Sequence, residues 1–236
     1  ATVAGVIDLY QWEISPYCEK IRKILDYKEL SYRTLEQPLL RRDLLQKKTG
    51  QQKVPVLCDN GRWVADSTDI ALYLEERYPA RPILPPAGRE RQLCLLLEAW
   101  SDEAFASAVQ PVKWLTPGNS AALLSEMGKS LPGLANRVLL RAASPVLRRT
   151  MQALSHGRGA KRTRHLLGYQ LDLLESLLAG QPYLFGETPT LADFSAASLV
   201  KHLTGLAGYE EVTRRRSFSA MIARIDAIAS RRVRVP

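Results

Sequence analysis

With 236 residues, 46% of them hydrophobic and 24% charged, the chain has the composition of a soluble globular protein and enough length for two compact domains. No apolar run approaches the roughly 18 residues that a membrane-spanning helix requires. The net charge of +9 gathers in residues 137–164, in Arg214-Arg215-Arg216 and in Arg231-Arg232, which admits an anionic membrane surface, nucleic acid or an acidic substrate beside the plainer reading of solvated helix faces.

The first residues, Ala1-Thr2-Val3-Ala4-Gly5, lack a basic region followed by an apolar stretch, so no signal peptide is expected. Val6 to Trp12 reads as a strand. From Pro16 to Tyr27 the residues Cys18, Ile21, Ile24 and Leu25 recur at helical spacing, with Glu19, Lys20, Arg22 and Lys23 on the other face. Leu30 to Leu35 alternates like a half-buried strand, and Leu39 to Lys48 forms a short helix ended by Gly50. Val54 to Cys58 and Arg62 to Ala65 flank Asn60-Gly61, a strong two-residue hairpin signal. Asp66 to Tyr78 is the next helix, stopped by Pro79. The order β-α-β-α-β-β-α predicts a small mixed sheet covered by helices, the layout of the thioredoxin fold.

Residues 80–88 hold three prolines and a glycine and mark a linker. Beyond it the pattern is helical over 89–109, 120–128, 134–155, 161–180, 191–206 and 216–232. The predicted fold class is α/β plus all-α: a thioredoxin-like domain over 1–79 and an all-helical domain over 89–236, enlarged by a basic insertion at about 110–164.

Four short motifs lie in order along this frame: Ser15-Pro16-Tyr17-Cys18 after the first strand, Lys53-Val54-Pro55-Val56-Leu57, Asp66-Ser67-Thr68-Asp69-Ile70, and Thr190-Leu191-Ala192-Asp193. Together, and over nearly the full length, they resemble the cytosolic glutathione transferase superfamily, with the Ser-Pro pair matching the tau- and phi-type members. The resemblance implies a cis bond before Pro55, a glutathione site built by the first domain, and a second pocket for a small electrophile bordered by the helical domain. It implies that the backbone of Val54 pairs with the cysteinyl unit of glutathione. Asp66 and Ser67 would hold its γ-glutamyl end, with Tyr17 and Lys53 nearby. It implies a homodimer as well.

The residues themselves leave the thiol end open. Ser15 before Pro16 is a preferred helix start, and its hydroxyl is equally suited to stabilise a thiolate. Cys18 in the first helical turn is the competing catalytic candidate, and Arg22, one turn on, would add positive potential. Asp66 and Ser67 are ordinary N-cap chemistry as well as an anion site, and Thr190-x-x-Asp193 reads as a capping box with no catalytic part.

Three cysteines, Cys18, Cys58 and Cys94, are an odd set without zinc-ligand spacing, so a reducing, cytoplasmic setting is expected. His156, His165 and His202 show no metal spacing, and no metal is expected. No basic stretch is interleaved with aromatics, so nucleic acid is not an expected partner. The alternative to a glutathione-dependent enzyme is a non-catalytic scaffold of the same fold that binds a protein, membrane or nucleic-acid partner through its basic helical domain.

Overall fold

The computed structural model describes residues 6–38, 42–130, 145–146, 149–150, 152–153 and 160–233. They form two compact units: 6–84 joined by 226–233, and the described part of 85–225. The helix expected over 134–155 lies largely outside the described residues.

The first unit is built on a four-stranded sheet of β1 (Ile7–Gln11), β2 (Tyr32–Glu36), β3 (Val56–Asp59) and β4 (Arg62–Ala65), in the order β2-β1-β3-β4. β1 runs parallel to β2 and antiparallel to β3, and β3 runs antiparallel to β4. The β3–β4 turn is Asn60-Gly61, both with positive φ (47° and 85°), as a two-residue hairpin of the right twist demands. Helices α1 (Pro16–Tyr27), α2 (Asp43–Thr49) and α3 (Ser67–Arg77) complete the thioredoxin-like layout. Its core comprises Leu9, Ile21, Leu25, Leu57, Ile70 and Leu74, all fully buried; each such side chain contributes roughly 1.5–3 kcal/mol.

Helix α1 departs from the two-faced reading. Its charged residues are buried too, with Glu19 at 5%, Lys20 at 1% and Arg22 at 3% exposure. The structure tolerates this because charges are paired where they lie: Arg22 bonds Glu19 and Gln11, and Lys23 Nζ donates to the Asp226 carbonyl at 3.1 Å.

In the second unit every described element is helical: α4 (Arg89–Trp100), a π-helical turn (Ser101–Phe105), α5 (Ala106–Leu115), α6 (Asn119–Ser130), α7 (Ala160–Leu178), α8 (Leu191–Lys201), α9 (Glu210–Thr213) and α10 (Arg216–Asp226). The helix expected to stop at Val109 runs on through Pro111 to Leu115, after a π turn at whose start Trp100 stacks on Phe105 at 5.2 Å. Thr190 and Asp193 form the reciprocal capping box of α8, and Asp193 also accepts from the Leu184 N–H at 2.8 Å.

The helix expected over 216–232 ends at Asp226 instead. Residues 231–233 run beside the edge strand β2, where the Tyr32 N–H donates to the Arg231 carbonyl at 3.4 Å and the Val233 N–H to the Tyr32 carbonyl at 2.7 Å. The segment therefore belongs to the first unit, whereas the sequence division assigns all of 89–236 to the helical domain. An unpaired edge strand offers free backbone groups, and this segment takes them up.

Candidate active site at the end of the sheet

Strand register explains why motifs 40 to 50 residues apart in the chain meet. Tyr10 pairs with Val56, and Val56 with Ala65, so these three lie in one row across β1, β3 and β4. The next residues along each strand leave the sheet at the same end: the turn to Ser15 after β1, Val54-Pro55 before β3, and Asp66-Ser67 after β4. Helices α1 and α3 both begin there, so the positive ends of two helix dipoles open at one end of the sheet.

Ser15 is the N-cap of α1, extended at φ −82°, ψ 123°, and Pro16 takes the first helical position. Its Oγ accepts from the Cys18 N–H at 3.4 Å, a long bond. Accepting there leaves the hydroxyl proton available as a donor. Ser15 is half-buried and so is Tyr17.

Cys18 has the surroundings of a packing residue. It is fully buried, and burial pushes its thiol up to about 11, against opposing contacts from the Trp12 backbone, the Ser15 hydroxyl and Arg22. A thiol held neutral and away from solvent is a poor nucleophile. Arg22 does not lend a free charge either; it is bonded to Glu19 and Gln11 and donates to the Glu13 carbonyl at 2.9 Å.

The Val54–Pro55 bond is cis. Pro55 is buried, Val54 half-buried and Lys53 exposed. Among the described residues, no hydrogen bond engages the N–H or C=O of Val54. At the start of α3 the cap is Asp66, whose Oδ1 accepts from the Thr68 N–H at 2.8 Å. Asp66 holds φ 79°, ψ 136°, a region costly for any residue with a Cβ, and is exposed, while Ser67 is buried. The β3–β4 hairpin is tied to α3 by Asp59, which accepts from both Tyr73 and Tyr78 hydroxyls at 2.7 Å.

Sequence reasoning missed the polar cluster behind this end of the sheet. Gln11 Nε2 donates to Glu13 Oε2 at 2.9 Å and to Glu36 Oε1 at 2.8 Å, and Arg232 Nη2 reaches both Glu13 oxygens at 3.2 and 3.1 Å. Burial holds the Glu36 carboxyl above its ordinary value. The one signal in the sequence was the density of acidic residues around the Ser-Pro pair. Trp12 and Tyr10 both have packing partners: Arg42 lies over the Trp12 ring at 4.3 Å, and Tyr10 packs on Trp63 at 5.1 Å. Much of the basic insertion, 131–144 included, lies outside the described residues. Among the described residues, no cluster of His, Cys, Asp and Glu has a metal-binding arrangement, and no helix is long and apolar enough to cross a membrane.

A thioredoxin-like sheet with a cis-Pro segment, a Ser-Pro helix start and an acidic-Ser helix start at one end, followed by a helical unit, defines a glutathione-transferase-type protein. The comparisons agree. Residues 9–82 match the glutathione S-transferase N-terminal domain model and residues 170–229 the C-terminal domain model. The chain belongs to the cytosolic glutathione transferase superfamily. It is similar to glutathione S-transferase U6 of Arabidopsis thaliana, at 26% identity over 188 residues, covering 79% of this chain and 66% of the relative. Similarity to glutathione S-transferase U7 of the same plant reaches 33% over 91 residues, 38% of this chain and 40% of the relative. The matched stretches thus span less than two thirds of these relatives' own lengths. A solved glutathione S-transferase from Methylobacterium radiotolerans, in complex with glutathione sulfonate, shares the fold at 20% identity and TM-score 0.64, covering 94% of this chain and 91% of that one.

Proposed function

We propose that the chain is a glutathione transferase that binds glutathione at the described end of the sheet and activates its thiol through Ser15. The observation that carries the reading is the register row Tyr10–Val56–Ala65, which delivers the Ser15, Val54 and Asp66–Ser67 segments to one place. In this reading the free N–H and C=O of Val54 pair, strand-like, with the cysteinyl unit. The N-terminus of α3 receives the γ-glutamyl carboxylate, helped by the Ser67 hydroxyl, and Asp66 takes the α-amino group. Lys53 and Tyr17 flank the bound tripeptide.

Chemically, the site has to keep the thiol ionised. The thiol proton leaves to water, and Ser15 donates its hydroxyl proton in a hydrogen bond to the sulfur without transferring it. Such a charge-assisted bond is worth roughly 1.5–3 kcal/mol, and the helix terminus adds about 0.3–1 kcal/mol. Against a free-thiol pKa near 8.5 and about 1.36 kcal/mol per unit, the two lower it by about one to three units. The thiolate then attacks an electrophilic carbon, forming a C–S bond as the leaving group departs, or serves a glutathione-dependent reduction. The protein works as a homodimer in the cytoplasm, a reducing setting that three free cysteines favour.

The test is retention on immobilised glutathione followed by conjugation of chlorodinitrobenzene. Wild type and Cys18→Ala are expected to bind and turn over, while Ser15→Ala binds but turns over slowly. Loss of turnover in Cys18→Ala alone would overturn the assignment, and a wild type that neither binds nor turns over would remove the glutathione reading.

A further inference from the structure

Arg231-Arg232 stands out in the sequence as part of a basic cluster, yet in the fold neither residue faces solvent alone. Arg231 Nη2 pairs with Glu29 at 3.1 Å, and its backbone N–H donates to Asp26 Oδ1 at 2.7 Å. Arg232 pairs with Glu13, and the backbone on either side of it is bonded to β2 through Tyr32. The segment is thus anchored along its length before Arg232 makes its contact.

Glu13 lies two residues before Ser15, in a turn closed by the Ser15 N–H donating to the Trp12 carbonyl at 3.1 Å. That turn is gripped from two sides. Arg22 of α1 holds the Glu13 main-chain carbonyl at 2.9 Å, and Arg232 holds the Glu13 carboxylate. Burial raises the Glu13 carboxyl, but Arg22 and Arg232 overcome it and hold the group below its ordinary value. Within this cluster Glu13, Glu19 and Glu36 face Arg22 and Arg232; without Arg232, three carboxylates would face one guanidinium beside the residue that must steady an anionic sulfur.

We infer that segment 230–233 is a working part of the thiol site, and that Arg232 is a positioning residue acting through Glu13 on the turn that carries Ser15. The inference deepens the proposed function and rests on it for its catalytic consequence. The strap fixes the hydroxyl's place and balances the charge behind it. Arg232 touches neither the thiol nor the electrophile; its effect travels through one ion pair.

Two measurements on the full chain separate this claim from the glutathione reading. In ligand-free protein, hydrogen exchange of the amides in 12–15 is compared between wild type, Arg232→Ala and Arg232→Lys. Exchange is expected to quicken in Arg232→Ala and to stay near wild type in Arg232→Lys. In glutathione titrations, Arg232→Ala is expected to weaken binding about two- to fivefold, the range of a partly exposed ion pair. The ionisation midpoint of the bound thiol should move up by a few tenths of a pH unit. Adding Glu13→Gln to Arg232→Ala is expected to bring that midpoint back towards wild type, because the unbalanced carboxylate is gone, while fast exchange persists. An unchanged exchange rate in Arg232→Ala, or a midpoint that the second substitution fails to restore, overturns the inference. Absence of glutathione binding in wild type overturns the function instead, and the exchange result then decides the strap by itself.

Discussion

In the proposed function, Ser15 serves folding and chemistry through the same geometry. As N-cap it accepts from the helix, and as a hydroxyl it keeps a proton to donate. Ser15→Ala should therefore cost twice: about 0.5–2 kcal/mol of stability through the lost cap, and roughly 10- to 100-fold in kcat/KM through the lost thiolate bond. Thermal unfolding and steady-state kinetics read the two effects separately, and Ser15→Thr should recover most of both. Cys18→Ala should lower stability by about 1–2 kcal/mol by opening a small void and leave the pH profile of kcat/KM in place; a displaced profile would contradict its packing role. The Ser-Pro helix start was legible in the sequence because capping is local. The burial of Glu19, Lys20 and Arg22 was not, since periodicity assigns a face but says nothing of what covers the opposite one.

Among the elements, the hairpin at Asn60-Gly61 and the capping box at Thr190–Asp193 were readable from neighbouring residues, and the structure has both. The run of α5 through Pro111 and the early end of α10 were not readable, because both depend on partners elsewhere in the fold. The buried Asp193 carboxylate accepts from the Thr190 and Leu184 N–H groups and the Thr190 hydroxyl, so Asp193→Ala strands three donors. A loss of about 2–3 kcal/mol in chemical unfolding is expected. Burial raises the Asp193 pKa to about 6 from 3.8, so the folded protein holds this proton more tightly than the unfolded chain. Its contribution to stability consequently falls as pH rises between these values, and the wild-type stability gain on acidification across that window should shrink in Asp193→Asn. Lys113 on α5 is the opposite case: burial lowers its pKa to about 8 from 10.5, and it is 2% exposed. Its contribution falls as pH drops through that range, so Lys113→Met should raise stability at neutral pH by about 2 kcal/mol in urea unfolding.

At the scale of the whole molecule, the two-part plan is written in the sequence by the shift from mixed strand and helix signals to helical ones at the proline-rich stretch 80–88. The return of 226–233 to the first unit is not, because Arg231 and Arg232 read alone as solvated charge, and only the fold supplies Glu13, Asp26 and Glu29 as their partners. The same pairing offsets the charge of these arginines with that of Glu29 and Glu13. For a chain of 26.4 kDa, the proposed homodimer should give about twice that mass in light scattering, and a monomer mass at micromolar concentration would contradict it.

The central claim is that Ser15 lowers the pKa of a bound glutathione thiol. Its most direct measurement is an ultraviolet pH titration of thiolate in the glutathione complexes of wild type, Ser15→Ala and Cys18→Ala. The account predicts a wild-type midpoint about one to three units below the free thiol, retained in Cys18→Ala and raised by about one unit or more in Ser15→Ala. A midpoint that stays with Ser15→Ala and moves with Cys18→Ala would contradict it.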